Sequence, residues 1–324
     1  MNILVTGGIG YLGIHLVNEL LNLNKVKIII FDNFSNSNPN ILNELSNKKI
    51  KLIEGNINNL KLLENIFIKY KINYVYHLAA KIDAEESIKK NKLYLKTNFF
   101  NTKKIVSLSS KYKIKKFFFA SSAAVYGNTT KKKCTENQFL KPINPYGKSK
   151  LYSEIFIKKN LKNSKFYIFR IFNLIGVEKK FYKYFKKRKS VFFKLLDVFK
   201  SKKKSFKVSK FLENGFFVST SRDFIDVRDV SKIFLNAIRI KKSNLTVNLG
   251  SGKPITINKF VTLFEETFKY KIKLLSRKKK KYDPKFVIAS TKNYNKYFTN
   301  LKCRDIKYSF QKLNYLRNKK VRKS

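Results

Sequence analysis

The chain has 324 residues, 43% of them hydrophobic, enough for one large two-lobed unit or two modest domains. Its 72 basic and 20 acidic residues leave a formal net charge of +52, carried mostly by lysine and spread along the whole sequence. No run of about 20 apolar residues is present to span a membrane, the opening MNILVTGG lacks the charged start and apolar run of a signal peptide, and two cysteines make neither a disulfide framework nor a metal-ligand cluster.

These totals predict a protein of the reducing cytoplasm with no membrane partner and no bound metal. So large a positive charge points to nucleic acid when taken alone. Its even spread, together with abundant Asn, Ile, Phe and Tyr and no Trp, reads instead as the product of a strongly AT-biased genome. No specific nucleic-acid partner is expected. The lysine surface is expected to attract polyanions without sequence preference, with an affinity that fades as salt rises, and to draw in small anionic substrates.

Taken in order, the first half alternates strands and helices. Asn2 to Thr6 reads as a strand, and Leu12 to Asn22 as a helix with Leu12, Leu16, Leu20 and Leu23 recurring at helical spacing. Val26 to Phe31 is a second strand, ending at Asp32, and Ile50 to Glu54 a third. Leu60 to Lys69 is helical, Tyr74 to Leu78 a fourth strand, Leu93 to Ser110 a long helix and Lys116 to Ala120 a fifth strand. A helix over Ser149 to Asn160, with Pro145 suited to its first turn, leads to a sixth strand, Phe166 to Ile171. Apolar strands separated by helices predict an α/β fold: a Rossmann-type doubly wound parallel sheet covered on both faces. After Asn173 the rhythm breaks. Helices are predicted over Val191 to Phe199, Asp229 to Arg239 and Ile257 to Phe268, with a short strand at Thr246 to Leu249. The expected organisation is a dinucleotide-binding domain over 1–173 and a smaller C-terminal substrate lobe over 174–324, with segments near 221–250 returning to the main domain.

Two constellations carry chemistry. Gly7, Gly10 and Gly13 stand at the joint between the first strand and the first helix. Glycines there permit a tight turn, clear the way for a pyrophosphate and let helix and strand pack closely, with the helix N-terminus facing the anion. Asp32, ending the second strand, can accept both adenosine-ribose hydroxyls and would repel a ribose phosphate, which favours NAD over NADP. Asn33, Asn36 and Ser37 could complete that pocket. Further on, Ser121 and Ser122 sit at the C-terminal edge of the fifth strand, and Tyr146 and Lys150 share one face of a helix at a spacing of four. An ammonium beside a phenol favours phenolate, so Tyr146 is expected to have a lowered pKa and to take the proton of a secondary alcohol while Ser122 binds the same oxygen. His77 and His15 read as packing residues.

These residues resemble the extended short-chain dehydrogenase/reductase family, and within it the enzymes that invert UDP-hexoses at C4. The resemblance covers nearly the whole chain. TGGIGYLGIH resembles the family's phosphate turn, which places Gly7, Gly10, Tyr11 and Leu12 on the cofactor, and Asp32, Asn33, Asn36 and Ser37 resemble the adenosine-ribose segment. Asn56 and Ile57 take the adenine position, with Asn56 where the family usually has Asp. Leu78, Ala79, Ala80 and Ile82, then Glu86, Ser87 and Asn98, resemble the stretch lining the cofactor. SSAAVYG resembles the strand carrying the catalytic serine, which implies Ser121 on the cofactor and Ser122, Tyr146 and Lys150 as the catalytic set, Tyr146 and Lys150 also touching NAD. Phe172 then contacts the cofactor and Asn173 the sugar diphosphate. SRDFIDVRDV implies Arg222 on the diphosphate. Lys280 stands where the family has a second arginine, Asp283 would contact the uridine ribose, and Val287 falls at a residue that gates the sugar's 2-position.

The resemblance implies a homodimer built on the two helices over Leu93 to Ser110 and Ser149 to Asn160. Ala123 and Ala124 occupy the places where related dehydratases carry an acidic pair, so 4-epimerisation leads. Another nucleotide-sugar epimerase, dehydratase or reductase stays open, and RNA binding is the alternative of a different class.

Overall fold

A computed structural model describes residues 1–45, 49–129, 133–185, 188–201, 203–213, 216–299 and 301–317. Seven parallel strands form its main sheet: β1 (Asn2–Thr6), β2 (Lys27–Asp32), β3 (Ile50–Glu54), β4 (Tyr74–His77), β5 (Lys116–Ser122), β6 (Lys165–Ile171) and, after four strands outside it, β11 (Leu245–Leu249). Their spatial order is β3-β2-β1-β4-β5-β6-β11. Succession runs outward from β1 in both directions, so the connections leaving β1 and β4 part to opposite faces and open a crevice at the strands' C-terminal edge, where α/β sheets bind ligands. The Rossmann-type fold expected from the sequence is therefore the one observed.

The burial pattern gives the reason. In β2, Ile28, Ile29 and Ile30 are all fully buried, although neighbours along a strand point to opposite faces. Ile28 and Ile30 join Ile3, Val5, Phe118 and Phe169 on one face, while Ile29 joins Leu4, Val75, Phe117 and Phe119 on the other. Both faces are therefore roofed. Each buried phenylalanine contributes about 1.5–3 kcal/mol to that sandwich. The first face is covered by α1 (Tyr11–Leu20) and α8 (Val227–Asn236). The second is covered by α2 (Leu60–Tyr70), α5 (Asn101–Lys111) and α6 (Pro145–Asn160).

The helix expected over Leu93 to Ser110 is divided. A short α3 (Ala84–Lys89), capped by Asp83, precedes α4 (Asn91–Tyr94), a π-helical turn over Leu95–Phe100, and then α5. The π turn carries Asn98, whose side chain is tied to the backbone of Lys81. A wide turn at such a point is a common mark of a functional region.

Beyond β6 lie two three-stranded sheets. One joins β7 (Asn173–Ile175), β10 (Ser221–Asp226) and β12 (Pro254–Thr256); the other joins β8 (Ser205–Glu213), β9 (Phe216–Ser219) and β13 (Lys273–Lys278). Helix α7 (Val191–Lys200), α9 (Ile257–Phe268), α10 (Lys292–Tyr297) and α11 (Ile306–Gln311) complete the chain. β11 lies parallel to β6, pairing Leu245 with Tyr167 and Leu249 with Ile171.

Candidate active site

The glycine turn leaves β1 with Gly7 at φ +70°, and a Cβ there would lie 2.8 Å from the backbone of Ala79. At Gly13 a Cβ would meet the Gly7 carbonyl oxygen at 2.2 Å. Any larger residue would push α1 off the turn, and the leading amides of the helix would leave the crevice. Gly10 caps α1 in an extended conformation with no side-chain bond to the helix. The first amides are thus left for an anion, with Tyr11 and Leu12 opening the helix. This cradle, with no side chain to fill it, fits a dinucleotide pyrophosphate.

Asp32 closes β2 at the crevice edge. Its carboxylate accepts the amide of Phe34 at 3.0 Å, the Ser37 hydroxyl at 3.1 Å and the Ile9 amide at 3.3 Å. Burial pushes its pKa up, and those three donors pull it back. Asn33 and Asn36 are exposed; the Asn33 carboxamide oxygen accepts the Ser35 amide at 3.2 Å, and the Asn36 amide donates to the Ser35 hydroxyl at 3.4 Å. Asn56 is exposed, while Ile57 is buried with Leu4, Ile29 and Phe31.

Leu78, Ala79 and Ala80 follow β4 half-buried, and Ile82 is exposed. Asn98 works on this segment from behind. Its Oδ1 accepts the Lys81 amide at 2.8 Å, and its Nδ2 donates to the Lys81 carbonyl at 2.9 Å and to Ser149 Oγ at 3.1 Å. Ser149 in turn donates to the Tyr146 carbonyl at 2.7 Å. Asn98 thereby joins this segment to the helix that carries Tyr146. His77 is fully enclosed below, between Thr6 at 2.7 Å and Thr102 at 2.8 Å. Thr102 donates its only hydroxyl hydrogen to the Asn98 carbonyl. His77 Nε2 is therefore the protonated nitrogen and Nδ1 accepts from Thr6, a tautomer assigned by the network. Burial lowers its pKa to about 3, so it stays neutral, in keeping with a packing role.

At the end of β5, Ser122 Oγ accepts the Ala124 amide at 3.1 Å. A hydrogen bond with Ser122 pulls the Tyr146 phenol down, but burial outweighs it and the pKa lies above its ordinary value. The lowering expected from Lys150 is not what the structure shows. The Lys150 ammonium turns to the Ala120 carbonyl at 2.8 Å and stands 4.8 Å from the centre of the Phe119 ring, so its charge is spent there. Burial lowers Lys150 to about 7, against an opposing pull from Glu154. Glu154, one turn beyond Lys150, was not singled out from the sequence. It accepts from Ser121 and forms a fully buried ion pair with Arg170 at 2.7 Å. Arg170 also donates to the Tyr126 hydroxyl at 3.0 Å, and Tyr126 to Asn248 at 2.6 Å. Ser121 is thus engaged beneath the crevice floor. The i, i+4 spacing from Lys150 was the available signal for Glu154.

Across the crevice, Phe172 is buried with Ala123, Val125 and Val287. Asn173 donates to the Asp223 carbonyl at 3.0 Å. The Asp223 carboxylate, also missed, accepts the amides of Ser251, Gly252 and Ala289 and so knits three segments together. Arg222 forms an ion pair with Asp283 and donates to the carbonyls of Ser221 and Lys285, so two of the expected substrate residues meet. Lys280 does not join them: it is exposed and pairs with Glu85 of α3. A second pair, Lys189 with Asp83 at 2.8 Å, runs beside it. Among the described residues no cluster of His, Cys, Asp or Glu could hold a metal, and no helix is long and apolar enough to cross a membrane.

The sequence profile of the NAD dependent epimerase/dehydratase family matches residues 3–250. A UDP-glucose 4-epimerase of Haemophilus influenzae is 38% identical over 183 residues, 54% of each chain, so the match spans about half that relative's length. A putative UDP-glucose 4-epimerase of Methanocaldococcus jannaschii is 31% identical over 271 residues, 81% of each chain. The crystal structure of UDP-glucose 4-epimerase from Bifidobacterium longum in complex with NAD+ and UDP is similar at a TM-score of 0.88, with 25% identity and 99% of both chains covered. With the glycine turn, the strand-end serines and the Tyr146 helix in their places, the chain belongs to the NAD dependent epimerase/dehydratase family.

Proposed function

We propose that this protein is a 4-epimerase of UDP-hexoses that interconverts UDP-glucose and UDP-galactose through a transient 4-keto sugar, and so serves galactose metabolism. The observation that carries the reading is the approach of Ser122 to the Tyr146 phenol at the crevice, beside a turn shaped for a dinucleotide. The UDP-glucose 4-epimerases among its relatives support it.

The leading amides of α1 would hold the pyrophosphate of NAD, Asp32 its adenosine ribose, Asn56 and Ile57 the adenine, and Ala79, Ala80 and Phe172 its nicotinamide half. Bound there, NAD would supply the hydride acceptor and donor for the sugar's C4. In its phenolate form, which the hydrogen bond from Ser122 favours, Tyr146 takes the proton from O4 and becomes the phenol. Ser122, its oxygen fixed by the Ala124 amide, would swing its one hydroxyl hydrogen from Tyr146 to the substrate oxygen as Tyr146 takes up the proton. Lys150, fixed by Ala120, holds the helix face of Tyr146 against the crevice and stays buried at the ribose side. The keto sugar then turns about its diphosphate, anchored by Asn173 and Arg222 while the sugar itself is loosely held. The hydride would return from the cofactor to the opposite face of C4, while Tyr146 gives its proton back to O4. Lys280 reaches the diphosphate by leaving Glu85, an exchange that costs little for an exposed pair. Ala123 and Ala124 supply no acid for water elimination, which favours epimerisation over dehydration.

Val287 opens the sugar pocket toward N-acetyl sugars in this reading. Phe286 packs edge-on against Phe211 at 5.6 Å, whereas Val287 takes the other side, with Ala123 and Phe172. The small side chain is therefore the one beside the catalytic strand. The exposed apolar rings of the π turn before α5 and of α6 are assigned to a homodimer contact. The free thiols of Cys134 and Cys303 fit a reducing cytoplasm.

The test is incubation of pure protein with UDP-galactose or UDP-N-acetylgalactosamine, without added NAD, and separation of products by chromatography. UDP-glucose should form from the first and UDP-N-acetylglucosamine from the second. An NAD-loaded protein that leaves UDP-galactose unchanged would overturn the function.

A further inference from the structure

A guanidinium taken out of water needs an anion or a full set of acceptors. Four arginines here have one: Arg170 lies on Glu154, Arg222 on Asp283, Arg228 on Asp226 and Arg304 on Asp229. Arg188 has none. Among the described residues no carboxylate pairs with it and no acceptor takes a hydrogen bond from it. Its guanidinium carbon lies 4.9 Å from the ring centre of Tyr11 and 4.9 Å from that of Phe185. Burial drags its pKa down to about 10, the mark of a cation whose charge is unanswered.

Its surroundings are those of an anion site. Tyr11 is the first residue of α1, next to Gly10, where the helix presents its unbonded amides and the positive end of its dipole. A cation set beside that end is repelled until an anion arrives. The platform beneath it is rigid: the Tyr11 hydroxyl donates to the Gly176 carbonyl, and the ring is held edge-on by Phe185 at 5.3 Å and Phe193 at 5.2 Å. Arg188 itself stands two residues before Ser190, the N-cap of α7, the helix whose Phe193 packs on the same Tyr11 ring. A planar fork stacked on a fixed ring loses little further freedom when it binds, and it matches the paired oxygens of a phosphate.

We propose that Arg188 is a diphosphate-binding residue, reaching over the Tyr11 ring to the anion seated at the head of α1. The proposal rests on the reading that this crevice takes NAD and a UDP-sugar. The dinucleotide's pyrophosphate is the source for which the glycine turn is shaped; the diphosphate of the nucleotide sugar is the other, and the two are separable.

Arg188→Met keeps the stem on the ring and removes the charge, and Arg188→Lys keeps the charge without the fork. For each, the NAD that survives dialysis is counted after acid extraction, NAD affinity is measured by calorimetry, and UDP is titrated into NAD-loaded protein. We expect Arg188→Met to bind NAD about tenfold more weakly or worse, with Arg188→Lys between it and wild type, and UDP affinity changed by less than about twofold. The reverse pattern, UDP weakened and NAD unchanged, supports the proposal with the sugar diphosphate as the anion. Unchanged affinity for both overturns it, and so does a fall in Tm with both affinities kept, which leaves Arg188 a packing residue. A wild type that binds neither NAD nor UDP sinks the proposed function itself. A wild type that binds both beside an indifferent Arg188→Met sinks only the role of Arg188.

Discussion

Tyr146 is the residue on which the proposed chemistry turns, and its environment sharpens what removing it should do. Burial holds the phenol protonated while Ser122 eases it toward phenolate, and the charge of Lys150 is turned aside to Ala120. Tyr146→Phe removes the proton carrier and leaves the crevice walls in place. Turnover of UDP-galactose should fall by roughly a hundredfold or more, with UDP affinity nearly unchanged; near-normal turnover would refute the assignment. Asp32 yields a second prediction. Asp32→Ala removes the carboxylate that would accept ribose hydroxyls and repel a 2′-phosphate, so calorimetry should show preference for NAD over NADP narrowing. An unchanged ratio would dismiss the role. The tyrosine, both serines and Asp32 were legible because their chemistry is announced by residue type at a fixed offset from a strand or helix end. Glu154, Asp223 and Arg188 were not: the i, i+4 offset from Lys150 gives Glu154 a helix face but no partner, and Arg170, Ala289 and Tyr11, which these three residues meet, lie 16, 66 and 177 positions away, where no local spacing points. The direction of the Lys150 ammonium was lost for the same reason: a spacing of four puts two side chains on one face but does not say which carbonyl one of them will find.

Among the elements, the strands of the main sheet were the most legible. Burial on both faces demands the unbroken apolar runs seen in KIIIFD and KFFFASS. The lobe was the least legible. β13 is exposed along most of its length, so lysines interrupt any alternation, and its pairing with β8 is set by tertiary contacts. Helix α6 carries apolar side chains on two sides, only one of which meets the sheet, and the π turn before α5 adds to the other. On the other side Phe100, Tyr152 and Ile155 are 51%, 43% and 54% exposed, around Phe99, which lies 5.2 Å from Phe100 and 5.7 Å from Tyr152. Clustered exposed rings of this kind are costly in water and mark an association surface. If this face is the homodimer contact proposed above, Phe100→Lys combined with Ile155→Lys should convert a dimer to a monomer in light scattering after size exclusion, with Tm lowered by lost burial. A wild type that runs as a monomer at all concentrations would remove the proposal. In a C2 contact each substitution appears twice, which makes the pair strongly disruptive.

At the scale of the whole molecule, the unusual charge and the scarcity of histidine together make an acid titration readable. With two histidines in the chain, any loss of stability between neutral pH and pH 5 has few sources. Both histidines are enclosed. His77 is lowered from 6.5 to about 3 by burial, and His15 from 6.5 to about 4, with burial again the main cause. His15 bridges the Tyr11 carbonyl at 2.7 Å and the Glu178 amide at 3.0 Å, so it needs one ring nitrogen protonated and the other bare. Protonating either histidine would break its bonds and leave a charge in the core. The unfolded chain takes up a proton at each site near 6.5, while the folded chain resists until about pH 4 and about pH 3. Stability from this source is thus complete above 6.5 and drains away as the pH falls toward those values. By linkage each site should cost roughly 2 kcal/mol at pH 5 relative to pH 7. The rising net positive charge adds self-repulsion over the same range. Urea unfolding at pH 7 and pH 5, at high salt to damp that repulsion, should therefore show wild type losing several kcal/mol, with His77→Gln and His15→Gln, each less stable at pH 7, losing about 2 kcal/mol less over the interval. Equal losses in wild type and both variants would mean that the two histidines do not set the acid limit of the fold.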